Sequence, residues 1–171
     1  MKTFIALLRA VNVGGTGKLP MEDLRALCAK AGFRDARTYI ASGNVVLRSA
    51  KSEAQVKKML EAALLGYAGK PVGVLVRSAA EMREVLATNP FADSPSNRVV
   101  AIFLDEVPPG DALAHAKNQR GERIALGRRE IYVDYADVNG MRDSKLQIPA
   151  AKAGTARNMN TVAKLAEMAG D

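Results

Sequence analysis

Phe4-Ile5-Ala6-Leu7-Leu8-Arg9-Ala10-Val11, followed by Asn12-Val13-Gly14-Gly15-Thr16-Gly17-Lys18-Leu19 and Pro20-Met21-Glu22-Asp23-Leu24, is the stretch whose reading decides the fold. Residues 4–8 form an apolar run too short for an amphipathic helix and typical of a strand covered on both faces. The glycines that follow allow positive φ and close backbone approach. Pro20 suits the first turn of a helix, where its missing N–H is not needed. Glu22 and Asp23 fall in that turn and favour its positive end. Leu24, Leu27, Cys28 and Ala31 then recur on one face, and Gly32 is a natural C-cap. The unit is strand, glycine-rich turn, helix.

Downstream, Arg37-Thr38-Tyr39-Ile40-Ala41 and Asn44-Val45-Val46-Leu47 read as a hairpin turning at Ser42-Gly43. Ser52 or its neighbour caps a helix to about Tyr67. Val72-Gly73-Val74-Leu75-Val76 is a fourth strand, so the order is βαββαβ, the ferredoxin-like pattern. Ser78 caps a further helix, and the turn-rich segment 89–96 is a linker in which Phe91 docks on the core.

The pattern then restarts. Val99 to Leu104 is a strand, Pro108-Pro109-Gly110-Asp111 leads into a helix, and Glu122 to Leu126 with Glu130 to Tyr135 form a hairpin with one wet face. A last helix covers about Asn158 to Ala169. The period is about 95 residues. The expected fold class is therefore α+β: two ferredoxin-like repeats, mainly antiparallel, the second degenerate and lacking its last strand. The expected organisation is residues 1–88, a linker over 89–96, and residues 97–171.

The chain has 171 residues, 48% hydrophobic, with 25 basic and 18 acidic residues for a net charge of +7. That balance suits nucleic acid, phosphorylated ligands or acidic partners, and also fits a solvated basic surface. One cysteine excludes a disulfide framework and a Cys-rich zinc site, and Cys28 on an apolar stripe is a core thiol. No apolar run approaches a membrane span or a signal-peptide core, so no membrane partner is expected and a cytoplasmic setting is the default. Neither metal nor cofactor is implied. His115 is the sole histidine, a surface residue. Asp134 with Asp137, and Asp105 with Glu106, lack metal-loop spacing. No strand carries the paired aromatics of an RNA-stacking platform.

Gly14-Gly15-Thr16-Gly17-Lys18 fails as a P-loop: Asn12 stands at the first glycine and Leu19 at the Ser/Thr that would hold magnesium. A glycine turn entering a helix can still offer N–H groups to an anion. In a right-handed βαββαβ unit the first two strands run parallel, which brings the loop after the first strand beside the hairpin turn between the second and third. Arg9, Asn12, Gly14, Gly15 and Lys18 are thus expected near Ser42, Gly43 and Asn44. The alternative is that both asparagines only satisfy turn backbone. Arg157 could add a phosphate or carboxylate fork, with Thr155 or Asn158 capping the last helix.

The phrases Leu7 to Gly15, Lys18 to Met21, Thr38 to Val46, Ser144-Lys145-Leu146 and Thr155 to Thr161 together resemble a bacterial family known as domain of unknown function 1697. Ala10 stands where that family more often has glycine, which implies ordinary φ there, and Met159 where it more often has tryptophan. The resemblance implies a duplicated ferredoxin-like fold and no activity. The readings carried forward are binding of an anionic ligand (phosphate-bearing or nucleic acid) where the 12–18 loop meets the 42–44 turn, an enzyme on a nucleotide-like or phosphorylated substrate using Arg9, Lys18 or Arg157 electrostatically, and a protein-interaction domain with a basic face.

Overall fold

Lys2–Leu8 forms the strand around which the first half is built, β1, in a computed structural model that describes residues 1–12 and 18–170. Phe4 to Leu8 are all buried, which is why the run is continuously apolar rather than alternating. Helix α1 (Met21–Lys30) follows, then β2 (Arg34–Thr38), β3 (Asn44–Ser49), α2 (Glu53–Ala68), β4 (Val74–Ser78) and α3 (Ala79–Ala87). β1 lies between β3 and β4, antiparallel to both, and β2 edges the sheet in the order β2-β3-β1-β4. β1 and β2 are therefore parallel, and the ends of β1 and β2 that lead into loops lie together.

One face of this sheet packs Phe4, Ala6, Leu8, Val45, Leu47 and Val76 against Leu24 and Cys28 of α1 and Val56, Leu60 and Leu64 of α2. Each fully buried leucine contributes about 1.5–3 kcal/mol. Helix α2 is set by a reciprocal cap: Ser52 Oγ accepts from Gln55 N–H, and Gln55 Oε1 accepts from Ser52 N–H. Cys28 is fully buried, and burial raises its thiol pKa to about 11.

The second half repeats the wiring. β5 (Val99–Phe103) lies between β7 (Glu130–Asp134) and β8 (Thr155–Asn158), with β6 (Arg123–Leu126) at the edge, in the order β6-β7-β5-β8. The registers match. Ile5 faces Val46 and Arg77; Ala101 faces Tyr132 and Arg157. Leu8 N–H donates to Gly43 O at 2.9 Å, and Leu104 N–H donates to Arg129 O at 2.9 Å. Each fourth strand ends on a buried arginine and a capping residue: Ser78 Oγ accepts from Glu81 N–H before α3, and Asn158 Oδ1 accepts from Thr161 N–H before α4 (Met159–Ala169). The repeated unit therefore includes the helix after the fourth strand. By contacts the chain divides into two compact units, Met1–Met82 with Leu165–Asp171, and Arg83–Lys164.

Several expectations are corrected. The second repeat does possess a fourth strand, β8, because Thr155 to Asn158 pair with Phe103 to Val100. The segment after Pro108-Pro109 is one 3-10 turn, Ala112–His115, since Ala116 turns extended and Lys117 pairs with Gln147. The wet face belongs to β6 alone; β7 is buried throughout. β2 lies at residues 34–38 rather than 37–41, because Tyr39 to Gly43 form the turn, tied by Tyr39 N–H to Asn44 O and by the Asn44 amide to Tyr39 O. β4 begins at Val74, two residues later than expected, after Gly73 O is taken by Arg9 N–H. Ala10 has φ +54°, not an ordinary value. A left-handed alanine where glycine would be unstrained is consistent with the tight exit from β1.

Candidate functional site

The loop leaving β1 and the turn leaving β2 do meet. Asn12 makes the junction: its amide Nδ2 donates to Leu19 O and to Ala41 O, both at 2.8 Å, and its Oδ1 accepts from Leu19 N–H at 2.6 Å. The left-handed backbone of Asn12, φ +55°, is one that asparagine tolerates. Gly43 sits beneath, at φ +88°, where a Cβ would lie 2.6 Å from Val11 Cγ2. Asn44 is fully buried, and its amide donates to Tyr39 O and Ser42 Oγ, each at 2.9 Å. The side chains of Asn12 and Asn44 thus fasten one end of the sheet. Gly14 and Gly15 lie outside the described residues.

Beside this junction is a cleft of about 720 Å³. Its walls are the exit of β1, the last turns of α2 and the segment entering β4. Arg9, Lys18 and Lys70 line it over an apolar floor of Val11, Leu19, Leu64 and Val72, and no lining residue among those described is acidic. Arg9 is positioned by its backbone, since its N–H donates to Gly73 O at 2.9 Å, and by its stem, which packs on the bare face of Gly73. Helix α2 is held to the far wall through Glu61, whose Oε2 accepts from Val74 N–H and Lys57 Nζ, both at 3.2 Å. Tyr67 at the rim donates to Asp23 Oδ2 at 2.6 Å, a bond that raises the tyrosine pKa. A concavity of this size with converging cations can take a phosphate- or carboxylate-bearing molecule.

Lys70 and Tyr67 were not foreseen from sequence. Neither lies in a motif; only the path from α2 to β4 brings them to Arg9. Arg157 and Asn158, the remaining sequence candidates, lie in β8 of the second unit. Arg157 is buried, donates to Thr155 Oγ1 and Ala156 O at 2.9 Å, and burial lowers its pKa to about 10. Asn158 caps α4. His115 is exposed beside Asp111 Oδ2 at 3.3 Å. Among the described residues no three His, Cys, Asp or Glu gather as a metal set, and no helix is long and apolar enough to cross a membrane.

A polar network in the second unit was also missed. Arg123 Nε donates to Asp134 Oδ2 and its Nη2 to Asp93 Oδ1, both at 2.8 Å, while the guanidinium carbon stands 4.7 Å over the Phe91 ring. Ser94 Oγ donates to Asp134 Oδ2 at 2.7 Å. Burial alone would raise the Asp134 pKa, but bonds from Ser94, Ala136 N–H and Arg123 outweigh it and lower the value. Glu122 behaves alike: burial opposes, and the Ser144 hydroxyl and Arg120 N–H prevail. These groups fasten loops rather than open onto a cleft.

Among solved structures, a conserved bacterial protein, SP0830 from Streptococcus pneumoniae, is similar with a TM-score of 0.81 and 22% identity, covering 98% of each chain. That likeness is one of fold. No curated protein matches the chain. The family model described as "Protein of unknown function (DUF1697)" matches residues 1–132, well over half of the chain, and the chain belongs to that family.

Proposed function

We propose that the protein binds an anionic ligand, phosphate-bearing or nucleic acid, in the cleft at the loop end of the first sheet. Arg9, Lys18 and Lys70 supply the attraction, and the Asn12 junction with the Ser42–Asn44 turn supplies the frame. The observation that carries this reading is a cleft of about 720 Å³ lined by three cations and, among its described residues, no acid. A bound phosphate or carboxylate can take charge-assisted hydrogen bonds from the cations that line the concavity. The net charge of +7 favours approach of the same ligands, and a cytoplasmic setting supplies them in abundance.

The test is calorimetric titration of inorganic phosphate, nucleotides and short oligonucleotides into the parent and into Arg9→Ala, Lys18→Ala and Lys70→Ala at low salt. Each charge-assisted contact removed is expected to weaken binding about tenfold. A steep salt dependence would mark polynucleotide as the ligand, and a shallow one a small phosphate ester. Undiminished binding in all three variants would move the site elsewhere, and an inert parent would sink the proposal.

A further inference from the structure

The second unit contains a separate cavity of about 480 Å³, formed where β5, the end of β7 and the chain through residues 146–152 converge. Its walls are chiefly apolar: Ile102, Leu146, Ile148 and the 3-10 turn Pro149–Ala151. The wall is also fixed. Lys117 and Gln147 exchange both backbone bonds, at 2.8 and 2.9 Å, and Ala151 N–H donates to Ile148 O at 2.9 Å. Four lining residues are polar: Lys117, Tyr135, Gln147 and a second cation, Lys152. Lys117 is exposed at the rim. Tyr135 is 93% buried in the lining, and its hydroxyl meets no hydrogen-bonding partner among the described residues. No buried side-chain oxygen among those residues lacks a partner, so this hydroxyl is open to solvent rather than sealed in the core. A buried tyrosine usually spends its hydroxyl on a protein acceptor. One that is open to solvent beside a cavity can donate to a bound acceptor, and burial together with Glu122 keeps it protonated.

We infer that this cavity is a second ligand site, taking a small amphiphilic carboxylate whose apolar body lies against Ile102 and Ile148 and whose carboxylate accepts from the Tyr135 hydroxyl and pairs with Lys117. The volume falls in the range of small-molecule sites, and the mix of apolar walls with few convergent polar groups is their usual chemistry. It is lined by two cations where the first cleft has three, so the first is expected to favour a compact, multiply charged group and this one a single charge on an apolar tail.

The experiment uses octanoate as probe, with octanol and acetate as controls, followed by methyl NMR and calorimetry on the full chain. Saturable octanoate binding with shifts at the Ile102, Leu146 and Ile148 methyls is expected. Lys117→Ala should weaken it about tenfold and Tyr135→Phe several-fold, while Arg9→Ala and Lys18→Ala leave it unchanged. Acetate should fail for want of the body. Octanol binding as tightly as octanoate would overturn the carboxylate assignment. Absent octanoate binding, or binding indifferent to both Lys117→Ala and Tyr135→Phe, would overturn the site. Phosphate titration of the same variants reports separately on the first cleft.

Discussion

Leu8 and Leu104 hold the same place in two sheets of the same strand order, yet the chain that leaves each is different. After Leu8 come Arg9 and the path to α1; after Leu104 come Asp105, Glu106 and a single 3-10 turn. Between third and fourth strands the first unit has the 16-residue α2, whereas the second has three 3-10 turns. The sheet is common and the cover is not. The first unit closes its core with leucines on helices. The second does so with Tyr135, Ile148 and turns stitched by Glu122 and Asp134. Strand order and register therefore survive exchange of helices for loops, provided the loops bring polar ties of their own.

The contrast breaks most severely at the tight approach each sheet makes to its own chain. A Cβ on Gly154 would lie 2.5 Å from Phe103 O and 2.8 Å from Leu104 Cδ2, and neither the strand backbone nor the packed leucine can move cheaply. Gly43 in the first unit combines a comparable clash with φ +88°. Gly154→Ala and Gly43→Ala should each lose about 3 kcal/mol or more in urea denaturation. A loss under about 1 kcal/mol would show that the backbone gives way.

Next in size is the polar stitching. Arg123→Ala leaves Asp134, whose side chain is 5% exposed, without its cation, at an expected cost of about 2–3 kcal/mol. Asp93, Glu122 and Asp134 all have lowered folded-state pKa values, and all lie in the second unit. A lowered folded pKa stabilises fully above the unfolded carboxylate range, about 4, and that stabilisation drains away as pH falls through the folded values. Hydrogen exchange in mild acid should therefore open β6 and β7 before β1 and β3. The reverse order would detach acid sensitivity from this network. Smaller again is the cap on α2, a helix with no counterpart in the second unit: Ser52→Ala should cost about 1 kcal/mol by thermal melting, with Ser52→Gly costing less.

Legibility follows the same division. Phe4 to Leu8, the Pro20 entry and the Ser52 cap are local signals, so the first unit can be read almost element by element. β8 could not, because Thr155-Ala156-Arg157-Asn158 has no strand pattern; its conformation is imposed by pairing with residues more than 50 positions earlier. The Asp134 partners Ser94 and Arg123 are 40 and 11 residues away, and no spacing rule links them. At the cleft, Arg9 and Lys18 were readable because a loop motif carries them, whereas Lys70 became visible only once α2 had been placed. The meeting of the 42–44 turn with the first loop was deducible because handedness of the crossover leaves one choice.

The finest comparison sets Arg9 against Asp105, the residues that directly follow Leu8 and Leu104. Both are exposed, so neither substitution to alanine should change stability by more than about 1 kcal/mol. Arg9 is allowed the larger part of that because its stem packs on Gly73. Their effects on ligand should part company. Arg9 lines the cationic cleft, and its loss should lower phosphate affinity about tenfold. Asp105 belongs to the other unit and lines neither cavity, so Asp105→Ala should leave phosphate and octanoate affinities alike. A long-range field effect would instead make Asp105→Ala raise phosphate affinity, and raising the salt would abolish the gain. Measuring both variants at low and at moderate salt separates a local site from diffuse attraction by a net charge of +7. Equal and opposite effects that vanish together in salt would reduce the cleft to one part of a generally basic surface.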